Sequence, residues 1–436
     1  MKLKKLHINS FRHLESLKFD FTYPEDFYIV EKRGKPLDKI CIIGQSATGK
    51  TGLLELLYKQ LSTLSNTAVG SNTFMTENTD FNDCEIEFYL HDQSVKTSKN
   101  KLQIGERIYE NAKESMIGGV FDFSFVSKYK TYYFKSNLIS EKNVSILDLN
   151  PLELREIFST FKKEPLKSID TIVFSEEIDN QIWYHLLNEI IEFHSKRYQK
   201  FTDLIGKGLI ANLEKFNNEV KQFLEKTPNP VEKFGKKFNL LLEKLHLEID
   251  YDNTEFAIPI RNKRKSEIIS IQNISTGTKG LLLSFLPLYQ LNTKNAIILV
   301  DEPERSLYPD IQMELVNFYQ KLAPEAQLVI ATHSPFVAAS FEPCERFILY
   351  FDEDGKVAVR RGISPVGDDP NDIIYEDFGV NYYNKDYQEK FKHYLELLDK
   401  SKNEENKELK KKLILEASKL GNIYNFNLNE EDRKTQ

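Results

Sequence analysis

Cysteine is scarce, long apolar runs are missing, and no excess of positive charge is present. The chain of 436 residues has three cysteines, Cys41, Cys84 and Cys344, far apart and with no Cys-x-x-Cys spacing. That excludes a zinc knuckle and a disulfide framework, and it fits small buried residues in a reducing compartment. No stretch reaches the ~18 consecutive apolar residues of a membrane helix. The opening Met1-Lys2-Leu3-Lys4-Lys5-Leu6-His7 lacks the apolar core of a signal peptide. The expectation is a soluble, cytoplasmic protein without membrane contact. A net charge of −7 and a pI near 5.8 argue against a general nucleic-acid coat, which needs a basic surface. There is no internal repeat. What the chain does have is apolar material: 40% hydrophobic residues, with 30 Phe and 21 Tyr, enough for a large core and too much for global disorder. Its length suits two domains better than one.

The hydrophobic pattern changes period along the chain. Leu6 and Ile8, then Leu17, Phe19 and Phe21, alternate with polar residues, which predicts a pair of half-buried strands joined by a turn around Phe11–Glu15. Lys39–Ile43, Cys84–Leu90, Phe121–Val126 and Lys130–Phe134 read as further strands. From about Ser175 the period becomes helical through Lys226, with an interruption expected at Gly206 and Gly208. Thr227-Pro-Asn-Pro230 breaks that run, and a second helix is expected over Val231–Leu247. Strand signals return at Leu247–Tyr251, Glu255–Ile260, Glu267–Ile271, Ala296–Val300 and Gln327–Ala331, and at the hairpin Arg346–Phe351 with Lys356–Arg360. Beyond Tyr382 the pattern is helical and charge-rich, over Lys385–Lys402 and Glu404–Leu420.

Four local motifs carry chemistry. Gly44-Gln45-Ser46-Ala47-Thr48-Gly49-Lys50-Thr51 fits G-x-x-x-x-G-K-[ST] and lies between a predicted strand and a predicted helix. Glycines let such a loop curl so that its N–H groups face phosphate oxygens, and the helix adds the positive end of its dipole. The Lys50 ammonium reaches the β- and γ-phosphates and the Thr51 hydroxyl ligates Mg²⁺. Ile297-Ile298-Leu299-Val300-Asp301-Glu302 reads as a buried parallel strand delivering two acids to the carboxyl edge of a sheet. There Asp301 would hold the Mg²⁺ shell, and Glu302 would orient or deprotonate a water. Ser275-Thr276-Gly277 opens an apolar helix, a second anion-binding helix end that a single nucleotide site does not need. Thr332-His333-Ser334-Pro335 closes a strand and brings a histidine to the same edge.

In this order the set resembles the ABC-type ATPases: phosphate loop, signature helix, Asp-Glu strand and switch histidine. The resemblance implies an α/β P-loop head with a mixed central sheet and flanking helices, a helical insertion and a helical C-terminal tail. It implies ATP and Mg²⁺ as ligands, and a site completed by two heads. Ser275 and Gly277 of one head would act on nucleotide held by the loop of the other, with Glu302 as base and His333 at the γ-phosphate. The signature departs from the family's Leu-Ser-Gly-Gly-Gln, reading Ile-Ser-Thr-Gly-Thr, and the lobe-joining loop, sought near Val126–Lys130, contains no Gln. Within the superfamily the chain is similar to the SMC/RecF/OLD branch, through Asn9-Ser10-Phe11-Arg12, the helical insertion, Asp301-Glu302-Pro303-Glu304 with Leu307-Tyr308-Pro309, and Thr332–Phe336. The position of Arg12 in that branch puts it near nucleotide or DNA. The expected division is a first lobe over 1–180, an insertion over 181–246, a second lobe over 247–380 and a tail over 381–436.

Other clusters read more simply as surface. Asp352-Glu353-Asp354-Gly355 is a hairpin turn before it is a metal site. Arg261-Asn262-Lys263-Arg264-Lys265 is a charged hairpin tip with a phosphate-backbone contact as its alternative. Lys233–Lys244 is an amphipathic helix. Stand-alone bacterial relatives of this size, of the Septu, PARIS and retron-associated type, are ATPase halves of anti-phage systems. By analogy the expectation is a homodimer or larger homo-oligomer that regulates a neighbouring nuclease or toxin, with DNA or a phage protein as trigger. The alternative is a repair or recombination ATPase acting directly on DNA; a transporter motor fits the insertion and the N-terminal strand pair poorly.

Overall fold

The computed structural model describes residues 1–67, 84–90, 93–98, 101–110, 130–159, 170–253, 255–365, 370–380, 384–424 and 426. The expected strand Phe121–Val126 lies outside them. The chain forms two compact units, Met1–Ile373 and Ile374–Gln436.

The first unit is organised by a seven-stranded mixed sheet. Its strands are β3 (Lys39–Gly44), β8 (Lys130–Phe134), β9 (Thr171–Phe174), β13 (Ala296–Asp301), β14 (Gln327–Ala331), β15 (Arg346–Phe351) and β16 (Val357–Arg361), in the order β16-β15-β3-β14-β13-β8-β9. Every neighbouring pair is parallel except β15 with the edge strand β16. All six residues of β13 and all five of β14 are buried. That is why these strands read as unbroken apolar runs rather than as alternating ones.

A second, antiparallel sheet has the order β2-β1-β4-β5-β6-β7, with β1 Lys2–Phe11, β2 Leu14–Asp20, β4 Cys84–Leu90, β5 Gln93–Ser98, β6 Lys101–Ile104 and β7 Arg107–Glu110. The helix Lys50–Thr67 shares one buried cluster with both sheets. Leu53, Leu54, Leu57 and Leu61 from the helix join Leu6, Ile8 and Phe19 from the antiparallel sheet and Ile42, Leu299 and Val329 from the mixed one. Removing these side chains from water, at roughly 25 cal/mol per Å², fixes the start of that helix against the edge where β3 ends.

The helical insertion runs Asn180–Gly206, Leu213–Lys226 and Pro230–Leu242. Its break falls where the glycines predicted it: Gly208 has φ +68°, which ends the first helix, and Asn212 caps the next by accepting from Lys215 N–H. Asn229 caps the third, with Pro230 at its first turn.

The expected strand Glu255–Ile260 is corrected. β10 Leu247–Ile249, β11 Ile260–Asn262 and β12 Glu267–Ile269 form a separate three-stranded sheet, and residues 255–258 are bends. The Ala257 N–H goes to Leu149 O, and Pro259 has no N–H to give to a ladder. The second unit is a helical pair, Lys385–Asn403 and Lys407–Tyr424, closed around Tyr394, Leu397, Ala417 and Phe426. Among the described residues no helix is long and apolar enough to cross a membrane.

Candidate active site

Parallel pairing brings the motifs to one edge. Ile42 is in register with Ala331, Ala331 with Asp301, and Val300 with Phe134. The residues after each strand therefore emerge side by side, although they come from four separate parts of the chain.

The phosphate loop leaves β3 at Gly44, where φ is +155° and an added Cβ would stand 2.2 Å from the Leu349 carbonyl oxygen. Ala47 (φ +66°) and Gly49 (φ +93°) continue the curl. Thr48 is fully buried, and its hydroxyl donates to Gln45 O at 2.8 Å. The Lys50 ammonium folds over the loop onto Gly44 O and Gln45 O, at 2.8 and 2.9 Å. Burial lowers its pKa to about 8, against the opposing pull of Glu302, Asp301 and Glu304.

The Thr51 hydroxyl donates to Asp301 Oδ2 at 2.9 Å, joining residues 250 positions apart. Asp301 is only 4% exposed. Its pKa is raised to about 6, chiefly by burial and further by Glu302 and Glu304, against the Thr51 hydrogen bond and Lys50. A buried carboxyl that resists ionising beside a hydroxyl is a donor set suited to a hard divalent cation with oxygen ligands, such as Mg²⁺.

Glu302 turns the chain with φ +48°, and its N–H bonds Ala331 O at 2.9 Å. Its Oε1 lies 3.7 Å from His333 Nε2, and both side chains stay partly open to solvent. His333 has a lowered pKa, from burial first and the Lys50 charge second, so its neutral form is favoured. A carboxylate paired with a neutral imidazole at the end of a phosphate loop can orient a water and take its proton.

Ser275 caps the helix Thr276–Gln290: its hydroxyl accepts from Thr278 N–H at 3.3 Å and lies 2.7 Å from Thr278 Oγ1. Ser275 and Thr276 are exposed, whereas Gly277 is buried. A Cβ on Gly277 would lie 2.4 Å from Ser306 O and 2.8 Å from Leu307 Cδ2. The sequence assigned Gly277 to nucleotide binding, and the structure gives it a packing duty within its own chain. Arg12 (φ +54°) stands at the turn between β1 and β2, its Nη2 2.9 Å from Glu55 Oε2 and its Nη1 facing Gly52 in the first turn of the helix after the loop.

Several contributors were given no part in the site by the sequence. His13 Nε2 lies 2.9 Å from where a Cβ of Gly49 would be, so the β1–β2 turn walls the phosphate loop. Glu304, 8% exposed, accepts from His333 N–H at 2.9 Å and holds the backbone of the switch residue. Gln312 joins the acid-bearing loop after β13 to the histidine-bearing loop after β14, donating to Leu307 O and accepting from the Ser334 hydroxyl. Only the spacing of Glu304 after the Asp-Glu pair could have hinted at its part.

The lobe-joining loop is also corrected. Lys130 pairs with Ala296, at the start of both strands and the far edge from the phosphate loop, while 126–129 lie outside the described residues. The end of β8 that reaches the site leads into Lys135 and Ser136. Lys135 Nζ is 3.7 Å from Glu55 Oε1, and Ser136 O accepts from Arg305 Nη1.

The sequence matches a family described as AAA ATPase domain over residues 1–338. The Septu protein PtuA of Bacillus thuringiensis is 34% identical over 65 residues, 15% of this chain and 16% of that one. The Retron Vc95 probable ATPase of Vibrio cholerae is 25% identical over 354 residues, 68% of this chain and 66% of that one. The chain thus spans less than two thirds of either relative. Among solved structures, the SMC head domain from Thermotoga maritima aligns with 84% of this chain and 100% of its own, at 14% identity and a TM-score of 0.39. An SmcHead bound to the C-winged helix domain of ScpA aligns with 83% of this chain and 97% of its own, at 13% identity and a TM-score of 0.39.

Proposed function

The chain belongs to the AAA ATPase domain family, and from that premise we propose that it binds ATP at Gly44–Thr51 and hydrolyses it between two copies of the head. The observation that carries this reading is the Thr51–Asp301 hydrogen bond at 2.9 Å with Lys50 in the same loop. It gathers a cation-binding oxygen pair and a phosphate-binding ammonium at one sheet edge. Gln45, Ser46, Ala47, Thr48 and Gly49 offer backbone N–H groups, and the first N–H groups of the following helix have no partner within it.

Thr51 and Asp301 would hold Mg²⁺, which when bound supplies charge neutralisation for the phosphates. Lys50 leaves its carbonyl partners for phosphate oxygens. Glu302 accepts a proton from the attacking water, and His333, fixed through its backbone by Glu304, contacts the terminal phosphate. Arg12 and its neighbour His13 stand at the loop's flank, the first paired with Glu55. Ser275 and Thr276 are exposed at a helix N-terminus, which supports the reading that they meet the phosphate of a partner head.

Closure of two heads is then proposed to regulate a separate effector, a nuclease or toxin, in anti-phage defence; the similarity to a Septu protein and to a retron ATPase supports the defence setting. A DNA-acting repair ATPase is favoured less. In the densest basic run, Arg261 pairs with Glu248 and Asp250, Lys263 with Glu243, and Arg264 lies against His246. The charges of Arg261 and Lys263 are thus already partly neutralised.

Ser275→Asp tests the composite site, because aspartate caps a helix as well as serine does while placing negative charge where phosphate would dock. Neither Ser275→Asp nor Lys50→Ala protein should turn over ATP, and mixing the two should restore one working site per dimer. Turnover by Ser275→Asp protein alone at the wild-type rate would overturn the two-head reading.

A further inference from the structure

The helical insertion contains a pocket that ATP chemistry does not use. About 350 Å³ in volume, it is lined by Asn150, Pro151 and Leu152 at the start of the helix Pro151–Ser159 and by His194, Arg197, Tyr198 and Phe201 on the helix Asn180–Gly206. That size lies at the lower end of small-molecule sites.

Among the described residues, two of its polar side chains, His194 and Arg197, have no hydrogen-bond or ion-pair partner. His194 is only 8% exposed, and among the described residues it makes no hydrogen bond; its ring stands edge-on to Phe193 at 5.4 Å. An imidazole nitrogen without a protein partner is met by water or by a ligand. Arg197, one turn away, has no carboxylate partner among the described residues. Its guanidinium lies over the Phe201 ring at 5.6 Å. Among the described residues no carboxylate lines the pocket. Asn150 uses its side-chain oxygen on Leu152 N–H, leaving its amide NH₂ as a further donor.

The lining therefore offers donors and one full positive charge to an anion. Phe201 is already covered by the guanidinium, while Tyr198, 60% exposed, offers a free aromatic face beside Leu152 and Pro151. Burial and the adjacent Arg197 lower the His194 pKa to about 4, so the imidazole is a neutral hydrogen-bonding group at ordinary pH and adds no second charge.

We propose that this pocket binds a small ligand that combines one anionic group with a planar ring. The anion would meet Arg197 and His194, and the ring would stack on Tyr198. A fork-shaped guanidinium recognises both phosphate and carboxylate oxygens, so the shared chemistry is an oxyanion and an aromatic ring in one molecule, as in a nucleoside monophosphate or an aromatic carboxylate. The site is independent of the phosphate loop. Asn150 lies two residues beyond Asp148, whose carboxylate accepts from the Ser270 hydroxyl and Ile271 N–H just ahead of the signature helix.

Calorimetric titration of full-length protein carrying Lys50→Ala, which silences the main nucleotide site, tests this with adenosine monophosphate, phenyl phosphate and benzoate as separate probes. At least one probe should bind, and Arg197→Ala in the same background should weaken it about tenfold or more, the scale of a lost charge-assisted pair. Tyr198→Ala should weaken it by a smaller factor, with the melting temperature of both variants held. Binding of the two phosphates but not benzoate identifies a phosphate ligand; the reverse pattern identifies a carboxylate. No binding by any probe at millimolar concentration, or binding that Arg197→Ala leaves unchanged, would overturn the proposal.

Discussion

Glu302 holds a left-handed backbone, φ +48°, that costs a non-glycine residue on the order of 1 kcal/mol or more. The strain persists because Glu302 N–H is tied to Ala331 O and Asp301 is buried in β13. Its effect is to point the carboxylate at His333. Two substitutions separate geometry from chemistry. Glu302→Gln should keep ATP binding and lower kcat by roughly 10²–10⁴, the usual worth of a general base, with closed dimers accumulating on a sizing column. Glu302→Gly should lose turnover equally, yet melt near the wild-type temperature, because relief of strain offsets the ~1 kcal/mol of added chain entropy. Wild-type turnover in either variant would remove Glu302 from the mechanism.

At Asp301 the raised pKa is a statement about stability. An acid whose folded pKa, about 6, exceeds its unfolded value of 3.8 leaves the protein most stable below 3.8 and costs stability as pH rises toward 6. Asp301→Asn keeps an acceptor for the Thr51 hydroxyl and removes that cost. In nucleotide-free, Mg²⁺-free protein it should raise stability by about 1–3 kcal/mol at pH 7.5, with the advantage fading toward pH 4. It should also abolish Mg²⁺-dependent ATP hydrolysis. Equal melting curves for the two proteins at pH 7.5 would contradict the burial argument.

At the scale of elements, close approach explains two glycines better than loop freedom does. Gly277 lets the helix Thr276–Gln290 seat its first turn on Ser306 O, just beyond the Asp-Glu pair. The distance a Cβ would leave, 2.4 Å, cannot be absorbed by a flexible side chain because the obstacle is backbone. Gly277→Ala should therefore lower the melting temperature of the isolated chain by several degrees, with or without nucleotide, measured by calorimetry at fixed protein concentration. Unchanged melting would mean that the helix end moves freely, and would return Gly277 to a purely nucleotide-facing part. The hydrogen bonds of Gln312 to Leu307 and Ser334 tie the loops after β13 and β14 to one helix.

For the molecule as a whole, each compact unit has its own core. The large cluster that carries the site lies within Met1–Ile373, and the helical pair after it closes on Tyr394, Leu397, Ala417 and Phe426. A protein ending at residue 373 should fold and bind ATP with an affinity within about threefold of the full chain's, as independent cores imply. Loss of ATP binding on truncation would show that the site needs the tail.

The sequence by itself determined the local pieces. Gly44–Thr51, Ala296–Glu302 and Thr332–Ser334 were legible because a phosphate loop, a buried parallel strand and a strand end each impose residue types over a few consecutive positions. The helical insertion and its break at Gly206–Gly208 were legible for the same reason. What only the tertiary structure decided is adjacency. The order β3-β14-β13-β8 sets Thr51 against Asp301 and Glu302 against His333, and it puts Lys135, not Lys130, at the working edge. His13, Glu304 and Gln312 act through contacts with distant residues, and Gly277 is constrained by a carbonyl 29 positions away. Such constraints leave no periodic trace along a chain, because the energy that enforces them depends on separation in space, which the sheet sets and the spacing of residues does not.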